Sequence, residues 1–406
     1  MSRILYVWEL GSGYGHVASA IPLATRLKAR GHEVAFALRD LAYAERFLGR
    51  RGFALLQAPV WMSDRRGPDL PVSYAEMLAN FGFLDRAGLT GMARAWRELY
   101  RLVRPDLLVI DHAPTALLAA RGIGLRRVLL GTGFHSPPRT SPMPSLRPWL
   151  DISPERLLET ERQIVETMNE VSADLAAKPL EVLADLFEVD EDFLCTFPEL
   201  DHHPRTEARY WGPFFASDEG VAPEWPAQRG ARVFAYLSPA YHDFEKLVSQ
   251  LSDLSCGTLV HAPGLSDKQI AKYHARNVVF SPEPVRMAQA SREADLVICH
   301  GGHGTTAASL LAGRPVLVLH RHVEQLLLAQ KIVDGGLGKT INPDSKNPSY
   351  KQLARDILSD SRFAERAREF AAKYADFDLA RQVDRIVTRC EEIIGNEGGR
   401  EIYRKT

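Results

Sequence analysis

Chemistry first concentrates at Gly11-Ser12-Gly13-Tyr14-Gly15-His16, which joins a short apolar run to a helical pattern. In doubly wound sheets the carboxyl ends of strands carry the ligand sites, so this turn sits where a substrate would be met. It is not the dinucleotide fingerprint GxGxxG, because His16 stands at the third glycine position, and it lacks the GxxxxGK[ST] of a phosphate loop. Its glycines allow a tight turn that leaves an imidazole at the mouth of a sheet. A helix N-terminus disfavours imidazolium, so His16 alone would be neutral and weakly basic. A carboxylate partner would correct this by stabilising the charged form as a proton arrives. Asp111, at the end of the apolar run LLVID, is the candidate partner. Read by themselves, the two residues fit a general-base pair and a capping histidine beside a strand-end aspartate equally well.

A second concentration is His300-Gly301-Gly302-His303-Gly304-Thr305-Thr306, again between an apolar run and a helical pattern. Gly301, Gly302 and Gly304 would let the backbone approach a ligand, and the new helix would aim its N–H groups at an anion. Thr305 would add a hydroxyl, and His300 or His303 a positive charge. This makes a diphosphate cradle; a glycine turn with capping threonines is the plainer alternative. Ser238 ends another apolar run ahead of Pro239, which reads as the start of a helix, and would donate to the same phosphates. Glu324 and Gln325 open the helix LLLAQKIV, as a clamp for vicinal sugar hydroxyls or as residues that favour a first turn.

The elements that must position these residues alternate regularly. Apolar runs at 4–8, 33–38, 54–59, 106–111 and 127–132, then at 232–238, 257–262, 277–282, 295–300 and 315–320, are separated by helix-length segments. That pattern predicts parallel sheets covered on both faces. Val17, Ala20, Ile21, Ala24 and Leu27 keep helical spacing until Gly31 stops the helix. The Pro- and Ser-rich stretch 135–150 reads as a mobile surface loop, and the Pro/Gly-rich stretch 211–230 contains a linker.

At 406 residues the chain exceeds one ordinary core, and two domains are expected. A formal charge of −1 argues against nucleic acid as a partner. The start MSRILYVWEL lacks the features of a signal peptide, no apolar run is long enough to span a bilayer, and the four scattered cysteines suggest neither zinc nor disulfides. A cytoplasmic protein is expected. Asp190-Glu191-Asp192 has the DxD spelling of a metal-dependent transferase, but it lies in an acidic stretch and reads as a solvated surface run. The histidines at 202–203 and 320–322 lack ligand spacing, so no metal site is expected.

Residues 13–34 and 294–341, with RYWGPFF at 209–215 as a YxGP-like marker, together resemble the family 1 nucleotide-sugar glycosyltransferases of the GT-B fold, the group that holds antibiotic and natural-product enzymes. The back motif is specific; residues 40–200 hardly match. The resemblance implies two facing Rossmann-like α/β domains with an interdomain cleft: an acceptor domain over 1–212, a linker over 213–230, a donor domain over 231–375, and a C-terminal helix over 376–406 packing back on the first domain.

It also implies roles. His16 becomes the catalytic base and Asp111 its support. His300, Gly301, Gly302, Gly304 and Thr305, with Ser238, become the diphosphate site; Glu324 and Gln325 hold the donor sugar; and Pro284, Val285 and Arg286 read the nucleobase. Departures from the pattern are Ser19 for the proline of GHxxP, His320 for a proline and Leu328 for an asparagine. The implied reaction is a metal-independent, inverting transfer of a hexose from a nucleoside diphosphate sugar to a hydroxyl of a small molecule or lipid. The nucleotide sugar, UDP-hexose ahead of dTDP-hexose, is a co-substrate, and no cofactor is expected. A sugar-nucleotide epimerase of the same fold and a non-catalytic nucleotide-sugar binder are the rivals. Tyr74, Phe81, Phe83, Trp96 and Trp149 are candidate acceptor-pocket or core aromatics.

Overall fold

The computed structural model describes residues 1–11, 14–63, 67–215, 220–227, 230–343, 345 and 347–395, without the side chains of Tyr14 and Tyr43. The chain divides into two compact units. One is formed by Met1–Phe197, His203–Gly212 and Asp378–Thr406, the other by Pro198–His202 and Pro213–Phe377.

The first unit holds β1 (Arg3–Trp8), β2 (Glu33–Leu38), β3 (Ala54–Gln57), β4 (Leu107–Asp111), β5 (Arg126–Gly131) and β6 (Glu191–Leu194). These form one parallel sheet in the order β3-β2-β1-β4-β5-β6. The second unit holds β7 (Arg232–Tyr236), β8 (Gly257–His261), β9 (Val278–Ser281), β10 (Leu296–Cys299), β11 (Val316–Val318) and β12 (Gly338–Thr340). Its order, β12-β11-β10-β7-β8-β9, is the same topology over again. Both are Rossmann sheets, with strand order reversing between β1 and β4 in one and between β7 and β10 in the other. Strands β4, β8, β10 and β11 are buried along their whole length, which is why they read as unbroken apolar runs.

Three expectations need correction. The acidic run is a solvated surface only at Asp190: Glu191 and Asp192 are half-buried and begin the edge strand β6, whose register sets them beside Val128 and Leu129. Asp190 pairs with Arg126 and accepts from the Arg127 N–H, while Asp192 takes Ser136 Oγ at 2.5 Å and Arg139 at 3.0 Å. These carboxylates are spent on arginines and backbone. Stretch 135–150 has no helix or strand, yet it is no loose surface loop. Ser136, Met143 and Leu146 are buried, and the Leu146 N–H and Ser145 hydroxyl both donate to Val72 O. Beyond Ser238 the chain makes a turn, and the next helix, Phe244–Ser252, starts only after Asp243.

Candidate active site

His16 lies in the first turn of helix Tyr14–Ala29, directly after β1. Asp111 is the last residue of β4, the neighbour of β1, in register with Trp8. The sheet's order reversal therefore brings them together. His16 Nδ1 is 2.9 Å from Asp111 Oδ2, and that same oxygen accepts from the Tyr6 hydroxyl at 3.0 Å. The Trp8 ring stacks on His16 at 4.8 Å between centroids, fixing the imidazole plane. Gly11 is required here: its φ is +91°, and a Cβ would lie 2.7 Å from His16 Nε2.

Burial pushes the Asp111 carboxyl up, but the imidazoles of His16 and His135 and the Tyr6 hydroxyl outweigh it and hold it below the usual carboxylate range. Asp111 thus stays an anion deep in the unit. A carboxylate on Nδ1 selects the tautomer with its lone pair on Nε2 and stabilises the imidazolium formed when Nε2 takes a proton. This geometry suits a general base.

Two neighbours were not singled out in the sequence. His135 Nδ1 is 3.5 Å from Asp111 Oδ1, and one atom each from His16, Asp111 and His135 lie within 4.8 Å of one another. That spacing alone would also admit an ion, but the carboxylate is already engaged by His16 and Tyr6. Glu9, just past β1, is 3 % exposed. It accepts from the N–H groups of Thr115 and Ala116 and from the Thr115 hydroxyl, at the first turn of helix Pro114–Ala120. Burial pushes its carboxyl up to about 7. A lone His or Glu beside a strand end carries no spacing signal, so neither was legible. Of the candidate aromatics, Tyr74, Phe83 and Trp96 are core, while Trp149 is 41 % exposed.

In the second unit, Ser238 follows β7 and His300 follows β10, at that sheet's own reversal point. The Ser238 N–H donates to His300 Nε2 at 2.8 Å, and His300 Nδ1 lies 2.8 Å from Leu319 O. Both ring nitrogens are thus used inside the protein, which fixes a neutral imidazole with the proton on Nδ1. Burial lowers the His300 imidazole, and burial holds His303 down at about 4. Neither histidine supplies the expected positive charge. Arg321, whose charge also depresses His300, is a cation close to it.

Helix His303–Leu311 starts from Gly302 with no side-chain cap. Gly301 needs its φ of +78°, a Cβ on Gly304 would meet Phe214 O at 3.1 Å, and the Cβ side of Gly302 is open. Gly302 is therefore where a ligand can approach the backbone, and Thr305 sits in the first turn beyond it. Glu324 and Gln325 lie in the first turn of helix Val323–Asp334, where Gln325 Oε1 accepts from the Arg321 N–H at 2.8 Å. Val285 is buried and bridges to Val221, and the Arg286 N–H donates to Val221 O; Pro284 and Arg286 are exposed.

Residues 245–385 match the family model of the glycosyltransferase family 28 C-terminal domain. The chain is 23% identical over 397 residues to a PGL/p-HBAD biosynthesis glycosyltransferase of Mycobacterium tuberculosis (strain ATCC 25177 / H37Ra), covering 92% of this chain and 88% of that one. Among solved structures, the glycotransferase of kitacinnamycin superposes with a TM-score of 0.69 at 18% identity, covering 97% of this chain and 99% of that chain. Glycosyltransferase VinC in complex with dTDP gives a TM-score of 0.67 at 16% identity, covering 96% and 99%. Two Rossmann units of this topology, with the C-terminal domain match, define the GT-B class. The chain is a glycosyltransferase of that fold. Among the described residues no helix is long and apolar enough to cross a membrane.

Proposed function

We propose that the protein transfers a hexose from a nucleoside diphosphate sugar to a hydroxyl of a small-molecule or lipid acceptor, with inversion and without a metal ion. The observation that carries this reading is the buried His16–Asp111 pair at 2.9 Å. His16 Nε2 takes the acceptor proton, Asp111 stabilises the imidazolium, and the acceptor oxygen displaces the diphosphate at the anomeric carbon in one step. Such a base contributes about 10²–10⁴ in rate, or roughly 3–5 kcal/mol.

The leaving diphosphate is received by the N–H groups of Gly304 and Thr305, the Thr305 hydroxyl, and Ser238, with Arg321 as the charge. His300 serves this site by tying Ser238 N to Leu319 O, and Gly301 and Gly302 keep the backbone accessible. Glu324 and the Gln325 amide hold the sugar hydroxyls, and Pro284, Val285 and Arg286 border the base. UDP is the first-choice nucleotide and dTDP the second; VinC, of like fold, was solved with dTDP. An epimerase would need carboxylates converging on the sugar, whereas the first unit offers an imidazole backed by a buried aspartate.

The test is a panel of UDP- and dTDP-hexoses with phenolic, macrolide and lipid hydroxyl acceptors. Release of nucleoside diphosphate should require both donor and acceptor, survive EDTA, and give a product of inverted anomeric configuration. Release without acceptor, epimerised donor, or a retained configuration would overturn it.

A further inference from the structure

Asp111 is flanked by two imidazoles, and the proposed base mechanism uses only one. The second belongs to His135, four residues past the end of β5. Its Nδ1 faces Asp111 Oδ1 at 3.5 Å, while His16 and Tyr6 share Oδ2. Its ring centroid is 5.0 Å from that of His16 and 4.7 Å from that of His112, on which it stacks at 20°.

The local chain is built to hold this ring. The His135 and Ser136 N–H groups both donate to Thr132 O, closing a tight turn. Ser136 Oγ is bonded to Asp192, and Arg205 donates to Ser136 O. A Cβ on Gly131 would lie 3.0 Å from His135 Nδ1, so a glycine at the end of β5 clears space for this imidazole as Gly11 does for His16. His112 takes a left-handed backbone, φ +43°, and is buried, with no hydrogen-bond partner on either ring nitrogen among the described residues. A bulky residue accepts that conformation only where its surroundings impose it. Here the product is a second ring stacked behind His135.

Resting on the proposed base role of His16, we infer that His135 is a positioning residue: its imidazole, held 3.5 Å from Asp111 Oδ1, presents positive potential to that oxygen, leaves Oδ2 to His16, and sets the basicity of His16. The charged and titratable groups facing this cluster are Tyr6 on β1, Cys195 beyond β6, His112 and His135 after β4 and β5, and Arg39 after β2. Burial keeps Tyr6 and Cys195 protonated and His112 neutral, Arg39 is bound to Gly11 O, and His135 is the imidazole that faces Asp111 Oδ1 at 3.5 Å. Positive potential beside Oδ1 offsets part of the carboxylate's charge and weakens its hold on imidazolium, so losing the His135 ring raises the His16 pKa.

The experiment is the pH profile of kcat/KM for acceptor in parent, His135→Phe, His135→Asn and His16→Ala, with melting curves for each. His135→Phe should move the acid limb up by about 0.5–1 pH unit. It should lower kcat on the order of 10- to 100-fold, less than the ~10⁴ lost with the orienting aspartate of a serine-protease triad, with donor KM unchanged. His135→Asn, whose amide replaces Nδ1–H, should return the limb to the parent position. An unmoved limb in His135→Phe, or an Asn variant no closer to parent than Phe, would overturn the positioning role. Should His135→Phe not fold, the Asn variant carries the test: a parent-like limb supports the role and a shifted one overturns it. Activity lost to EDTA and restored by zinc would also overturn it, by making the cluster a metal site. Unchanged turnover in His16→Ala would instead sink the base role itself, so the two failures are distinct.

Discussion

Glu324 has two possible employments, and they separate at the level of one carboxylate. It stands in the first turn of helix Val323–Asp334, where a negative charge favours the helix by roughly 0.3–1 kcal/mol. As a sugar-hydroxyl acceptor it should not matter to a bare nucleotide, which carries no hexose. Glu324→Ala is expected to leave UDP and dTDP binding unchanged by calorimetry. It should reduce kcat/KM for the sugar nucleotide by about 1–3 kcal/mol and change the preference between donors that differ at one ring hydroxyl. Equal donor ratios in parent and variant would leave only the helix role. A residue of the same rank, His300, tells the opposite story. Its type suggested charge, but its two nitrogens are committed to Ser238 N and Leu319 O. His300→Ala should therefore weaken nucleoside diphosphate binding through the loops it ties, by about 0.5–1.5 kcal/mol for each neutral hydrogen bond lost. Because the imidazole stays neutral, that binding should show no step near pH 6. A step near pH 6 that vanishes in the variant would restore the charge role.

At the scale of elements, Glu9 joins the turn after β1 to the helix after β4, the two segments that deliver His16 and Asp111. Its carboxyl is raised from 4.5 to about 7, so between those values the folded state holds a proton that the unfolded state has released. Stability should accordingly fall as pH rises through that window and level off above pH 7. Glu9→Gln keeps the acceptor oxygen and has no proton to lose. Its stability relative to parent should grow by about 3 kcal/mol between pH 4.5 and 7.5 in denaturant titrations. Parallel curves would refute the shift. The strands around Glu9 were readable because parallel strands buried on both faces are continuous apolar runs, and ten of them stood out in the chain. β6 was not, since its first residues, Glu191 and Asp192, are acidic and only their arginine partners make them strand-compatible. β12, Gly338–Thr340, is too short and too polar to show. The His16–Asp111 pair was legible because both residues stand at β–α junctions. His135 was hidden in a proline-rich stretch whose burial depends on contacts far along the chain.

For the whole molecule, two copies of one sheet topology each place their candidate site residues where strand order reverses. The helix that carries His16 is held at both ends. His16 is fixed by Asp111 at its start, and beyond its last turn Arg30 and His32 reach Glu391 of helix Leu379–Gly395 at 2.7 and 3.1 Å. The chain's last helix thus belongs to the unit that carries its first strand. In the proposed reaction the first unit supplies the base and the second holds the donor. Calorimetry with UDP or dTDP and a product assay, run together on parent and His16→Ala, test it most directly. The account predicts donor-nucleotide affinity equal to the parent's and transfer to a hydroxyl reduced on the order of 10²–10⁴-fold. Parental turnover in His16→Ala, or nucleotide binding lost along with it, would contradict that division of labour.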